Sequence, residues 1–386
     1  MKPEAKHLAV ISACVLWLAG LSAAWSADPL AGQGVAKVVA LSGEAKAGAR
    51  ALKIGDGVAE GEEITSGRGS YATFEFTDQS VVRVMSDSRL RIEAHRLPAP
   101  LAEIETRLRL GAGALEATVA RRRAPNFTVV SMAGSIAVRG TSFRVRGGDE
   151  SMLVEVLEGR VAVTGNTGGP VAVNAGFGTR VTVMQAPLAP VELLRAPDIS
   201  RAAALQQRPV VRLRFAPLAG AQRYRVIAAT DRDLREVVVE NTQRRPDVRM
   251  VDLRDGEYFY AVRAIDELGL EGPEARGRFL LKARPLPPAA QEPESDAALQ
   301  PGSVAFSWAA VEEAATYHFQ LATDDAFDSP LVNRGGLAAR EFVVDKLEAG
   351  SYFWRLASVR ASGDQGPFGD PHPFTLRAPA PAPQTQ

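Results

Sequence analysis

Leu253-Arg254-Asp255-Gly256-Glu257-Tyr258-Phe259-Tyr260 returns 94 residues later as Leu347-Glu348-Ala349-Gly350-Ser351-Tyr352-Phe353-Trp354. Successive side chains of a strand point to opposite faces. Tyr258 and Tyr260 therefore share one face, as do Tyr352 and Trp354, while Phe259 and Phe353 point the other way. Other landmarks keep the same spacing. Phe215 precedes Tyr224 by nine residues, and Trp308 precedes Tyr317 by nine. Thr230-Asp231 answers Thr323-Asp324, and Gly272-Pro273 answers Gly366-Pro367. An offset of 93 or 94 residues, with several short alternating runs per copy, is the size of a β-sandwich module. Two modules are predicted, at 195–283 and 302–378. In each, the aromatic strand lines the core, and Trp308 lies across the second core on the facing sheet. Residues 284–301 are rich in Pro, Ala, Glu and Gln and read as a semi-stiff linker. Residues 379–386 read as a disordered tail.

Working back toward the N-terminus, the period stays at two. Ala72, Phe74 and Phe76 alternate with Thr73, Glu75 and Thr77; Val82 and Val84 flank Arg83; Leu90 and Ile92 alternate with charged residues. This is the pattern of half-buried strands. Asp78-Gln79 falls between two such runs and predicts a hairpin turn. Gly111-Ala112-Gly113, Gly147-Gly148, Glu158-Gly159 and Gly168-Gly169 punctuate later strands. A first domain is predicted over 34–185, and the chain as a whole is all-β.

The stretch Leu52-Lys53-Ile54-Gly55-Asp56-Gly57-Val58-Ala59-Glu60-Gly61-Glu62-Glu63-Ile64-Thr65-Ser66-Gly67 resembles the opening of the FecR domain. Ser70–Asp78, Phe127–Ser131, Val154–Val161 and Val171–Gly176 continue the match in order. Ile136-Ala137-Val138-Arg139-Gly140-Thr141-Ser142-Phe143-Arg144-Val145 is its most specific block. Gln79 departs from the family, which often has glycine there. The resemblance implies a periplasmic domain with a protein-contact or sensing role. Founding members also carry a cytoplasmic segment that controls a sigma factor; only seven residues precede the apolar run here, so that role does not transfer. The Gly-x-Tyr-Phe-aromatic strands resemble fibronectin type III and related Ig-like modules.

Residues 1–27 read as an address. Lys2, Lys6 and His7 precede the apolar run Leu8–Leu21, and the small residues Ser22, Ala23 and Ala24 follow. That is the layout of a secretory signal peptide, with cleavage after Ala24 or Ser26. Two other readings stay open: an uncleaved inner-membrane anchor over Leu8–Trp25, and lipidation at Cys14. The expected location is the periplasm or the envelope. Cys14 is the single cysteine, so a cleaved chain has neither disulfides nor thiolate chemistry. Lys plus Arg number 45 and Asp plus Glu number 45. That balance, in an exported chain, argues against nucleic acid as a partner.

Little chemistry is legible. His95, His318 and His372 lie far apart, and neither a nucleophile elbow nor a phosphate loop is present. The chain is expected not to be an enzyme and to need no cofactor or metal. Asp231 and Asp324 follow strands, where an aspartate ordinarily builds a turn, with calcium as the rival reading. Arg139, Gly140, Thr141 and Phe143 are either a strand with a glycine bend or a partner surface. Arg121, Arg122 and Arg123 are either a solvated loop or a contact for an anionic partner. Trp308 and Trp354 sit where a core needs them, which weakens a sugar-binding reading. The expected partner is an envelope protein, a membrane sensor or transport component. The alternative is cell-wall or lipopolysaccharide binding.

Overall fold

The computed structural model describes residues 34–96, 104–121 and 127–377, and all regular structure among them is β. The segment 1–27, the tail 379–386, Arg122 and Arg123 lie outside the described residues.

The first domain is two sheets that share one long strand. Glu105–Thr118 pairs through its first half with Arg89–Arg96 and Phe127–Val130. Its second half pairs with Val81–Val84 and Ser142–Gly147. Gly111-Ala112-Gly113 does not separate strands, as the sequence suggested, but lies inside this one where it passes between sheets. Gly113 has φ +85°, and a Cβ there would lie 2.5 Å from the Ser88 Cα, so only glycine fits. Beyond Ser142–Gly147 the first sheet continues to Ser151–Glu158 and Phe177–Thr182. Between the two sheets lies one continuous core that includes Phe74, Phe76, Ile92, Phe127, Phe143 and Val154. The expected hairpin is present. Gln79 takes φ 67°, and Asp78 Oδ1 accepts from the Ser80 amide at 2.9 Å.

Each following module has its own core between two sheets. In the first, Gly256–Ile265 lies between Arg223–Ala229 and Ala275–Leu281, facing the pair Val211–Arg214 and Asp247–Met250. In the second, Gly350–Val359 lies between Thr316–Ala322 and His372–Leu376, facing Gly302–Trp308 and Glu341–Leu347. Tyr258, Tyr260, Tyr352 and Trp354 are all buried, and Trp308 packs from the facing sheet against Tyr317 and Phe319.

The expectation of a linker over 284–301 needs correction. Ala290–Glu292 pairs with Gly302–Trp308, and Ala297–Leu299 pairs in parallel with His372–Leu376. These short strands complete the sheets of the second module. Proline sits at their ends and between them, where no ladder hydrogen bond is lost, so proline-rich composition imitated a spacer.

Candidate functional site

The outer face of the first domain's Ser142–Gly147 sheet carries Arg144, Arg146, Glu155 and Glu116, with Arg83 at its margin. Alternation along the strands places them opposite the apolar core. Ordinarily such residues face water. Here the Arg223–Ala229 sheet of the first sandwich module covers them, and it brings Arg225, Glu240, Arg263, Glu271 and Glu274. Three arginines and two glutamates on one side thus meet two arginines and three glutamates on the other, so the opposed faces carry complementary charge.

Glu271 is the hub. Its side chain is 2% exposed and meets four guanidinium groups. Arg144 stands 3.5 Å from Oε2, Arg263 3.4 Å from Oε2, and Arg225 3.1 Å from Oε1, while Arg146 also bonds Oε1. Arg144 further donates to the carbonyls of Glu271 and Gly272, at 3.0 and 2.9 Å. Arg146 donates to Gly269 O at 3.1 Å. In the reverse direction the Glu271 amide donates to Glu155 Oε1 at 3.0 Å. Arg263 reaches across to Glu116 Oε1 at 2.5 Å and holds Glu274 at 2.6 Å on its own module. At the margin Tyr71 donates to Glu240, Arg83 donates to Leu234 O, and Tyr71, Met85 and Ile227 form a small apolar cluster.

The electrostatics follow from this crowding. Burial pushes the Glu271 carboxyl up, but its guanidinium neighbours, Arg146 foremost, outweigh that and hold it far below the ordinary range. Glu274, opposed in the same way by burial, is held at about 2 by Arg263 and Arg276. Glu116 is also lowered, by Arg263, Arg83 and Arg144 against burial. Glu155 moves the other way: burial dominates and raises it despite Arg144. Within the cluster is a cavity about the size of one water molecule, far too small for a substrate or cofactor. The arrangement holds two domains together; it has the chemistry of a joint.

Backbone closeness completes the joint. At Gly272 an added Cβ would stand 2.0 Å from Leu194 O. Gly366, its counterpart in the second module, would clash with Pro285 O at 1.9 Å. The Gly-Pro pairs noted in the repeat thus let the entering segment of each module pack against it. The two modules are joined more lightly, through Lys282 Nζ to Asp364 Oδ1 at 2.7 Å and through Arg208 to Asp370.

The residues singled out by sequence fall elsewhere. Phe143 is in the core and fully buried, and Thr141 is 1% exposed. Neither reaches a surface, which corrects the partner-surface reading for this pair. The Thr141 hydroxyl donates to Arg139 O and Arg160 O, both at 3.0 Å. Gly140, at φ +55°, lets the chain approach Arg121, whose Cα would lie 3.1 Å from a Cβ there. Arg139 and Arg121 are exposed. Asp324 Oδ1 accepts from the amides of Ala326 and Phe327, and Asp231 accepts from those of Asp233, Arg235 and Glu236. Both aspartates are spent on turns. His95 is buried between Thr77 and Thr106, each within hydrogen-bond reach of a ring nitrogen.

Arg144, Arg146, Glu155, Arg225, Arg263 and Glu271 were not singled out by sequence. A signal was available in the repeat. By strand register, Arg225, Arg263 and Glu271 correspond to His318, Ala357 and Gln365 in the second module. Charge present in one copy and missing from the other marks a face with a private partner.

A family model described as FecR protein matches residues 62–162. The chain contains a FecR domain. The joint is built on that domain's strands, since Glu116, Arg144 and Glu155 all lie within the matched span. The two modules that follow are β-sandwiches, each with its own core between two sheets. Among solved structures, a putative anti-sigma factor from Parabacteroides distasonis is similar at 21% identity and TM-score 0.28, over 34% of this chain and 59% of that one. The chain therefore spans less than two thirds of that protein's length. Chicken CNTN1 FN1-FN3 domains align at 13% identity and TM-score 0.25, over 81% of this chain and 99% of that one. The two-domain fibronectin type-III segment of chicken tenascin aligns at 13% identity and TM-score 0.21, over 47% and 99%. No curated protein matches the chain.

Proposed function

We propose that this chain is a non-catalytic protein of the periplasm or envelope, acting by protein contact as a scaffold or sensor accessory. The partner is a membrane sensor or transport component. The supporting observation is the arginine–glutamate joint centred on Glu271. It commits the central patch of one sheet face of the FecR domain to the neighbouring module and ties the two together. Such a pair presents loop ends and sheet faces at fixed spacing, which suits docking between proteins. The groups with the large shifts in titration, Tyr71, Arg225, Arg263, Glu271 and Glu274, belong to this joint and are engaged with one another around a cavity too small for a substrate.

The test is crosslinking of a C-terminally tagged full chain in its native envelope, followed by mass spectrometry. One dominant membrane protein, lost when the FecR domain is deleted, is the expected result. Recovery of wall fragments or lipopolysaccharide alone, indifferent to that deletion, would overturn the reading in favour of wall binding.

A further inference from the structure

The first module docks on the FecR domain through the outer face of its Arg223–Ala229 sheet. The second module owns the same face, and strand register matches the two residue by residue. Arg225 pairs with Arg263 across the first sheet as His318 pairs with Ala357 across the second. Ile227 opposes Glu240 as Gln320 opposes Asn333. Leu234 and Phe327 are both left-handed, at φ 57° and 59°. Glu271 and Gln365 make matching bridges to Ile265 and Val359.

This second face is organised, and among the described residues no hydrogen bond or ion pair ties it to another domain. His318 Nδ1 is 2.8 Å from Gln365 Oε1, and its Nε2 is 2.5 Å from Asn333 Oδ1. Gln320 donates to Asn333 Oδ1 at 3.2 Å and accepts from Arg355 Nε at 2.8 Å. The Arg355 guanidinium lies between two rings, 4.0 Å from the Phe327 centroid and 4.6 Å from that of Phe368. Its Nε bond goes to a neutral amide, and it forms no ion pair among the described residues. At the joint, by contrast, Arg144, Arg146, Arg225 and Arg263 all engage the Glu271 carboxylate. A planar cation fixed by packing and left without its counter-charge is set to take a carboxylate in a two-bond fork.

We propose that this outer face of the second module, centred on Arg355, docks a separate protein through a carboxylate-bearing surface, using the sheet face by which the first module holds the FecR domain. The proposal rests on the protein-contact reading above and adds, to the contact made by the FecR domain, a second face with its own chemistry. Phe327 and Phe368 supply the aromatic walls around the cation, and the His318–Gln365–Asn333 chain fixes a polar rim.

A photocrosslinking side chain at Leu331, exposed beside this face, is placed in the full chain in its native envelope. A second is placed at exposed Val343 on the opposite sheet. The expected result is a discrete protein adduct from Leu331 and none from Val343. Arg355→Gln should cut that adduct at least tenfold. Asn333→Asp adds a like charge at an exposed rim position without touching the core and should also cut it several-fold. With the captured protein purified, removing its acidic side chains should weaken binding to the full chain by a similar factor. An adduct with a second copy, a glycan or a lipid overturns the proposal, as does an adduct unchanged by both substitutions. A partner recovered by whole-chain crosslinking but never from Leu331 overturns this face alone; failure to recover any protein either way overturns both readings.

Discussion

Replacing Glu271 by Gln tests the joint at its hub and gives the first module the residue the second already has at Gln365. The substitution keeps shape and one acceptor oxygen but removes the negative charge that four guanidinium groups share. Partial compensation remains. Arg144 keeps two backbone carbonyls, Arg146 keeps Gly269 O, and Arg263 keeps Glu116 and Glu274. Arg225 keeps Glu240. Leaving buried charge uncompensated costs about 3–5 kcal/mol, and these remaining bonds put Glu271→Gln near the lower end. A loss of about 3 kcal/mol raises the undocked fraction roughly a hundredfold. Calorimetry of the full chain reads this directly: the FecR domain and first module should melt together in the parent and separately in the variant. Glu274→Gln is the comparison, because its side chain is 20% exposed and Arg263 retains two other carboxylates, so it should cost less than about 1 kcal/mol. If the two variants melt alike, or Glu271→Gln still melts as one unit, the hub assignment is wrong.

Other consequences follow from the same geometry. Glu271, Glu274 and Glu116 have lowered values, so their stabilisation is complete above the ordinary carboxyl range, about 4.3, and drains away as pH falls toward the value of about 2 at Glu274. Small-angle scattering should therefore show the first two domains separating between about pH 4 and 2, and separation on raising the pH instead would contradict the sign. Glu155 is raised, so its charge costs stability at neutral pH; Glu155→Gln should be neutral or stabilising by up to about 1 kcal/mol, and a loss matching that of Glu271→Gln would refute this. Gly272→Ala places a Cβ 2.0 Å from Leu194 O and should cost about 1–3 kcal/mol through forced backbone movement, read as a lower unfolding midpoint. Thr141→Val removes a buried hydroxyl bonded to two carbonyls and should cost about 1–3 kcal/mol, with no partner lost in the crosslinking experiment.

The sequence carried the architecture because strand period and aromatic placement are local. Tyr258, Tyr260, Tyr352 and Trp354 could be assigned to cores from alternation alone, and Trp308 to the facing sheet from the repeat. The turn at Asp78-Gln79 was equally local. The joint was not legible in that way. Arg144, Arg146 and Glu155 alternate with core residues just as water-facing charges do, and what buries them is a sheet more than 60 residues further along the chain. Proline misled at 284–301, since short paired strands separated by prolines have the composition of a spacer. The block Arg139–Phe143 stood out because its residues are structurally demanding: a left-handed glycine, a hydroxyl spanning two carbonyls and a core phenylalanine. These demands make a recognisable pattern without making a binding surface.

The most direct check on the joint is a distance measurement in the intact chain. Spin labels at exposed Ile54 on the FecR domain and exposed Val251 on the first module report their separation by pulsed electron resonance. A single narrow distance at neutral pH, broadening in Glu271→Gln, is the predicted result. A broad distribution in the parent chain, unchanged by the substitution, would mean that the two domains are not held as one unit and that the Glu271 network is not what orders them.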